Sequence, residues 1–169
     1  MKNKTKMTKD TVPRDFTLAL ALTDALPVLF FGGSTFIAAR LLGSIPFVIG
    51  AALCFLAGAA KVAWKLTVAI KKKNVRFLFL QMRIIMPPGF ILMLISLFVK
   101  MKTLGATVFI QALTSFPSVI FFIAEAAGIL LMSVFAFALD SADARSNRIE
   151  QMTNTAAQAA FFTGLLFLL

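Results

Sequence analysis

Charged side chains inside long apolar stretches are the residues of this sequence best placed to bind a solute or an ion. These residues are Asp24, Lys61, Lys65, Arg83 and Glu125. An ionised group in hydrocarbon costs roughly 3 kcal/mol or more unless it is paired, hydrated or able to reach the lipid headgroups. Because of that cost, charges at such positions are typical of substrate sites, ion pathways or pairs that hold helices in register.

The spacing of these charges predicts that Asp24 contacts a lysine. In an antiparallel helical hairpin, residues equally far from the turn lie at the same depth. Asp24 precedes a turn at 43–44 by about 20 residues, and Lys61 and Lys65 follow that turn by about 18 and 22 residues. The offset in depth is therefore about 3 Å. The alternative for the two lysines is an interfacial anchor beside Trp64, with their ammonium groups among the headgroups.

A second pair is predicted between Arg83 and Glu125. Arg83 precedes a turn near Thr103 by about 20 residues, and Glu125 follows it by about 22 residues. We therefore expect two acid–base pairs at similar depth, in the cytoplasmic half of the membrane. For Arg83 the alternative is again a side chain that extends to the headgroups.

Glu125 is the strongest single candidate for a functional residue. It is followed by fourteen residues without a charge. A short carboxylate cannot extend far toward the headgroups, so Glu125 is paired, protonated or in contact with water. A purely structural ion pair is the alternative.

Polar and helix-breaking residues accompany these charges. Gln111 joins the candidate site, because it is a polar residue in the apolar stretch that carries Glu125. Pro27, the Pro-Pro-Gly segment at 87–89 and Pro117 free backbone carbonyls at membrane depth, which is tolerated where those carbonyls are buried in protein or line a cavity. These breaks favour a polar pocket near the charges, and kinks of a purely structural bundle are the alternative.

Five apolar stretches must position these groups. Of the 169 residues 60% are apolar and only 14% are charged, against about 25% charged in an ordinary soluble domain. We therefore expect an all-α, polytopic integral membrane helix bundle with about five transmembrane helices, forming one domain over 16–169 after a basic cytoplasmic tail over 1–15. The predicted spans cover about 16–42, 45–70, 76–99, 106–139 and 145–169.

Two of the predicted spans are irregular. The fourth is longer than one crossing needs, so Pro117 is expected to kink it or to divide a short segment from it. The last apolar stretch, 156–169, is marginal for a crossing. It suffices if the helix begins near Arg145, which places Asn154 and Gln158 in the headgroup region.

The distribution of basic residues predicts the orientation. Eleven Lys and Arg residues fall on the N-terminal side of the membrane and three on the other. Since cytoplasmic segments carry the excess of positive charge, the N-terminus is predicted inside and the C-terminus outside. The eleven are Lys2, Lys4, Lys6, Lys9, Arg14, Lys71, Lys72, Lys73, Arg76, Arg145 and Arg148, and the three are Arg40, Lys100 and Lys102.

The composition excludes several kinds of site. With no His and a single Cys, the chain cannot form His-ligated metal or haem sites, a Ser-His-Asp triad or an intrachain disulfide. We expect no metal and no cofactor, and we expect Cys54 to pack as a small hydrophobic residue. The net charge of +10 lies in short segments between apolar stretches, which predicts contact with anionic lipids at the cytoplasmic face and no binding of nucleic acid.

These patterns favour a small transport protein of the plasma membrane of a bacterium, or the substrate-binding membrane subunit of a transporter, without enzymatic activity. A positive pocket around Lys61, Lys65 and Arg83 would suit an anionic or zwitterionic solute. One alternative is a non-catalytic structural or assembly subunit of a membrane complex. Another is a lipid-modifying enzyme that uses Glu125 or Asp24 as acid or base. Small-residue spacings such as 124–128 permit close packing against a second copy or a partner membrane subunit.

Overall fold

The computed structural model of the protein describes residues 17–73, 75–139 and 144–169. The predicted cytoplasmic tail over 1–15 lies outside the described residues. Within them the chain is all-α, which confirms the predicted fold class. The helices are α1 (Leu18–Thr23), α2 (Ala25–Leu42), α3 (Ile45–Lys71), α4 (Arg76–Leu104), α5 (Ala106–Thr114), α6 (Ser118–Ala138) and α7 (Ala144–Leu166).

Four helical segments in the described residues are long and apolar enough to cross a membrane. They are Leu18–Leu42, which joins α1 and α2, Ile45–Lys71, Leu80–Leu104 and Ser118–Phe135. At about 1.5 Å per residue, the 25 or more residues of the first three exceed the thickness of a hydrocarbon layer of about 30 Å. The fifth predicted span corresponds to α7, which has the length of a crossing, at 23 residues, but a more polar composition.

The turns between the helices follow the local sequence. Gly43 ends α2 with a left-handed backbone, at φ 54°, and Pro46 lies in the first turn of α3. Gly105, at φ 88°, separates α4 from α5. A positive φ carries no steric penalty for glycine, so both residues suit these positions. Pro117 precedes α6, so the long fourth stretch is divided into a short segment and a main helix.

The helices pack in a row. In the described residues the extensive contacts join α4 to α3, α3 to α1 and α2, α2 to α7, and α7 to α6, while α5 contacts both α4 and α6. The two ends of the row are the most exposed: in the most apolar 18 residues of each segment, 17% are buried in Leu80–Leu104 and 11% in Ser118–Phe135, against 39% in Ile45–Lys71. The α3, α2 and α7 helices therefore form the interior of the bundle.

Two apolar clusters hold the row together, one near each end of the helices. In one of them Leu20, Trp64 and Val68 are buried against Leu78. The other lies where α2 ends and α3 begins, and Phe109 of α5 packs against it. The buried members of this second cluster are Ile37, Ala38, Leu42, Phe47, Ala51 and Leu165.

Glycines bring α3 and α4 into close contact. A Cβ added at Gly50 would lie 2.5 Å from the carbonyl oxygen of Gly89, and one added at Gly89 would lie 2.9 Å from the Cys54 sulfur. Pro87 and Pro88 precede this contact, yet α4 continues through them. The Cys54 thiol donates to the Met86 carbonyl at 3.6 Å, so Cys54 is a buried packing residue at this crossing.

Candidate functional site

A buried ion pair between Asp24 and Lys65 is the centre of the candidate site. The Lys65 Nζ contacts Asp24 Oδ2, and both side chains are 3% exposed. Lys65 Nζ also donates to Asn147 Oδ1 at 3.1 Å. The three residues come from the α1–α2 junction, α3 and α7, so the cluster joins the three inner parts of the row. The predicted contact of Asp24 with a lysine is therefore formed, and the Lys65 ammonium lies inside the bundle.

The helix break at Asp24 positions its carboxyl group. Asp24 ends α1 and begins α2, and its side chain forms no capping hydrogen bond. Pro27 follows in the first turn of α2. Backbone N–H groups in a first turn have no partner within the helix, so a proline is tolerated there. The carboxyl group is thereby free to turn toward α3.

Several buried polar atoms of the bundle have no hydrogen-bond partner among the described residues. They are Asp24 Oδ1, Ser34 Oγ and Gln158 Oε1, together with Ser118 Oγ at the start of α6. Ser34 is fully buried on α2, and Gly33 beside it packs against Phe162 of α7. Because buried polar groups are normally satisfied, such atoms mark places that water, an ion or a solute can fill.

A polar face of α7 continues the cluster along the helix. Asn147, Gln151, Asn154 and Gln158 follow one another at intervals of four, three and four residues, which places them on one side of an α-helix. Asn147 and Gln151 are each 7% exposed. Asn147 and Gln151 are not among the residues predicted from the sequence, and Asn154 and Gln158 were predicted to lie in the headgroup region. The helical spacing of the four amides was the signal that could have identified them.

Glu125 lies at the interface between α6 and α7. A Cβ added at Gly128 would lie 2.5 Å from the Ala157 Cβ, and one added at Gly164 would lie 2.8 Å from the Phe122 ring. Glu125 is midway between Phe122 and Gly128 on this face, so it lies level with about residues 160–161 of α7. That level is about 20 Å along α7 from Asn147.

The predicted pair of Arg83 and Glu125 is not formed, and this prediction was wrong. Among the described residues no ion pair joins them, and the extensive contacts of α6 are with α7. The depth estimate treated 106–139 as one crossing, whereas α6 begins only at Ser118. Glu125 therefore lies about 10 Å from the start of its helix, while Arg83 lies about 31 Å from the end of α4.

The remaining candidate residues lie away from the centre of the site. Lys61 is half-buried one turn before Lys65, with which it interacts electrostatically. Arg83 is exposed on α4 and Gln111 is exposed on α5. Because Asp24 neutralises Lys65 and Arg83 lies on an exposed surface, the three basic residues do not form the positive pocket that the sequence suggested.

Comparisons with protein-family models, with curated proteins and with solved structures gave no match.

Proposed function

We propose that the protein is a small integral membrane transport protein, or the substrate-binding membrane subunit of a transporter. The observation that carries the proposal is the buried cluster of Asp24, Lys65 and Asn147, in which one carboxylate oxygen is left without a partner. A pair that only held helices in register would be most stable with every polar atom satisfied. The spare oxygen is better explained by a site that exchanges ligands.

The chemistry of the cluster favours a solute that carries hydrogen-bond donors. The ion pair leaves the cluster close to neutral, and the atom of the cluster that lacks a partner, Asp24 Oδ1, accepts hydrogen bonds. A zwitterion or a polar amine would supply such donors. An anion is less suited, since the Lys65 ammonium is already held by Asp24.

The test is whether water enters the bundle as far as the α2–α7 contact at Ser34, about 15 Å along α2 from Asp24. Ser34→Cys is nearly isosteric and introduces a thiol at a fully buried position. In a Cys54→Ala background and in sealed vesicles, we expect a small charged thiol reagent to label this variant from at least one side. A solute that occupies the site should slow the labelling, which provides a screen for substrates.

Ser96→Cys in the same background is the matched control. Ser96 is 4% exposed on α4, and its hydroxyl donates to the Leu92 carbonyl at 2.8 Å, so it lacks the unsatisfied atoms of the site. We expect it to remain unlabelled. Protection of both variants from both sides would refute the transport proposal.

A structural or assembly subunit is the second candidate. The exposed, apolar surfaces of α4 and α6 favour it, because such surfaces pack against lipid or against another membrane chain. A second copy or a partner subunit would bury them. In that case the ion pair would only fix the register of α1, α3 and α7.

The proposed setting is the plasma membrane of a bacterium, with the N-terminus inside. Four apolar helices support a membrane location, and the excess of basic residues over 71–76 supports an inner face in contact with anionic lipids. We propose no enzymatic activity and no binding of nucleic acid. The clustered residues are one carboxylate, one amine and amides, a set suited to holding a ligand.

A further inference from the structure

The packing of α2 against α3 places Asp24 level with a point between two lysines. A Cβ added at Gly32 of α2 would lie 2.7 Å from the Phe55 ring of α3. Asp24 lies eight residues before Gly32, and the point eight residues after Phe55 on the antiparallel α3 is midway between Lys61 and Lys65. Each lysine is therefore about 3 Å from the level of Asp24. Because the two are four residues apart, they share one side of α3.

The carboxylate holds only one of these two lysines. Lys65 contacts Asp24 Oδ2 and donates to Asn147. Lys61 forms no ion pair or hydrogen bond with another described residue. Lys61 is half-buried, and its charge interacts unfavourably with that of Lys65. An anion beside the Lys61 ammonium would relieve this repulsion and replace the water that the ammonium has lost.

The same carboxylate has room for a hydrogen-bond donor. Asp24 is 3% exposed, and its Oδ1 atom is buried without a partner among the described residues. A carboxylate oxygen accepts hydrogen bonds from N–H or O–H groups. The site therefore combines an acceptor for a donor group with an ammonium, one helical turn from Lys65, for an anion.

Charge balance restricts the solutes that suit this site. Within the described residues, the charges that act on Lys65 are those of Asp24, Lys61 and Glu150. These four groups together have no net charge. A cation or an anion bound alone would leave one charge unbalanced inside the bundle, which is costly away from water. A zwitterion adds no net charge.

We propose that this site binds a small zwitterion with a primary ammonium group, and that Lys61 binds its carboxylate. The ammonium of the solute donates to Asp24 Oδ1, and the carboxylate accepts from the Lys61 ammonium. Lys65 keeps its contact with Asp24 throughout. This inference rests on the proposed function, since it names the class of solute that the same cluster would transport.

Isothermal titration calorimetry of the full-length protein in detergent tests the assignment, with glycine as the probe. Methylammonium carries only the cation of glycine and acetate only the anion, while trimethylglycine carries both charges but has no N–H to donate. We expect glycine to bind, and each of the other three to bind at least tenfold more weakly.

The single tryptophan of the chain reports where the probe binds. Trp64 lies on α3 between Lys61 and Lys65. Its fluorescence should therefore change over the concentration range in which glycine binds. Glycine binding that leaves the Trp64 emission unchanged would overturn the proposal, because the probe would then lie elsewhere.

Two variants refine the test. Lys61→Met should lower the glycine affinity about tenfold or more, because it removes a hydrogen bond between two charged groups. Lys71→Met, at the exposed end of α3, is the matched control and should bind glycine as the wild type does. Absence of glycine binding, equal binding of any of the three related compounds, or an unchanged affinity in Lys61→Met would overturn the proposal.

The outcomes separate the zwitterion site from the transport function. Glycine binding together with a Ser34→Cys variant that is protected from both sides would support the zwitterion site and refute transport. An accessible Ser34→Cys variant of a protein that does not bind glycine would refute only the zwitterion site.

Discussion

The Asp24–Lys65 ion pair ties the first helices to α3 where neither group reaches bulk water. Taking both charges out of water is costly, and their mutual attraction offsets that cost only if other hydrogen bonds complete the pair. Asn147 provides one of these to Lys65. Each charge is consequently stable only in the presence of the other.

Removing one member of the pair should destabilise the protein more than removing both. We expect Asp24→Asn and Lys65→Met each to lower the free energy of unfolding in detergent by about 3 kcal/mol, because each leaves a buried charge without its partner. The double variant should lose less than the sum of the two losses. Thermal unfolding of the purified variants provides the measurement.

Lys61→Met is the control for this cycle. Lys61 lies one turn away on the same helix and is only half-buried, so its replacement should change stability by less than about 1 kcal/mol. Losses that add fully in the double variant would show that Asp24 and Lys65 do not act as a pair.

The sequence predicted this pair but not its surroundings. The turn at 43–44 and uninterrupted helical rise on both sides fixed the relative depth of Asp24 and Lys65. The choice of Lys65 over Lys61, and the contact with Asn147, depend on where α7 packs. Asn147 follows Lys65 by 82 residues in the sequence, and local spacing does not encode a tertiary contact of this kind.

At the scale of helices, the crossing of α3 and α4 depends on the absence of side chains. At a helix position with free space around it, replacing glycine by alanine stabilises the helix. Here the added Cβ would lie 2.5 Å from the Gly89 carbonyl oxygen, so the helices must separate. We expect a loss of about 2 kcal/mol in the free energy of unfolding, measured by thermal unfolding in detergent.

Ala52→Leu is the corresponding control on α3. Ala52 is exposed, so a larger side chain there should be tolerated within about 0.5 kcal/mol. A Gly50→Ala protein as stable as the wild type would mean that the helices of this hairpin have room to adjust.

Helix positions were easier to predict than helix contacts. Apolar length and turn residues placed the α1–α2 segment and α3 within a few residues. The Pro117 division was predicted as one of two outcomes, yet the Arg83–Glu125 pairing was built on an uninterrupted crossing. A single break displaced every depth estimate beyond it, because each residue contributes a fixed rise.

At the scale of the whole molecule, α7 decides the number of crossings. It is too polar to count among the four apolar spans. It nevertheless packs along α6, with Ala157 of α7 against Gly128 of α6 and Gly164 of α7 against Phe122 of α6. An antiparallel partner of a crossing helix returns to the side where that helix began. We therefore predict five crossings, with the C-terminus opposite the N-terminus.

Single cysteines measured in sealed vesicles test this topology. In a Cys54→Ala background, Lys73→Cys should react from the inner side, and Thr103→Cys and Leu169→Cys from the outer side; all three residues are exposed. Labelling of Leu169→Cys from the same side as Lys73→Cys would mean that α7 does not cross and that the chain has four spans.

The composition of the chain indicated its class, since so apolar a sequence is typical of helices that cross a membrane. It did not determine the order of helices in the row. That order depends on which small residues contact one another. The sequence does not predict that Gly50 contacts Gly89 or that Gly128 contacts Ala157; the structure shows both contacts.

The polarity of α7 has a consequence for how the protein is made. A helix carrying Asn147, Gln151, Asn154 and Gln158 partitions poorly into lipid by itself, because each amide loses hydrogen bonds to water there. Beside α2 and α6 those amides gain protein surroundings. We therefore expect α7 to enter the bilayer together with α6, as a helical hairpin in which protein already covers these amides.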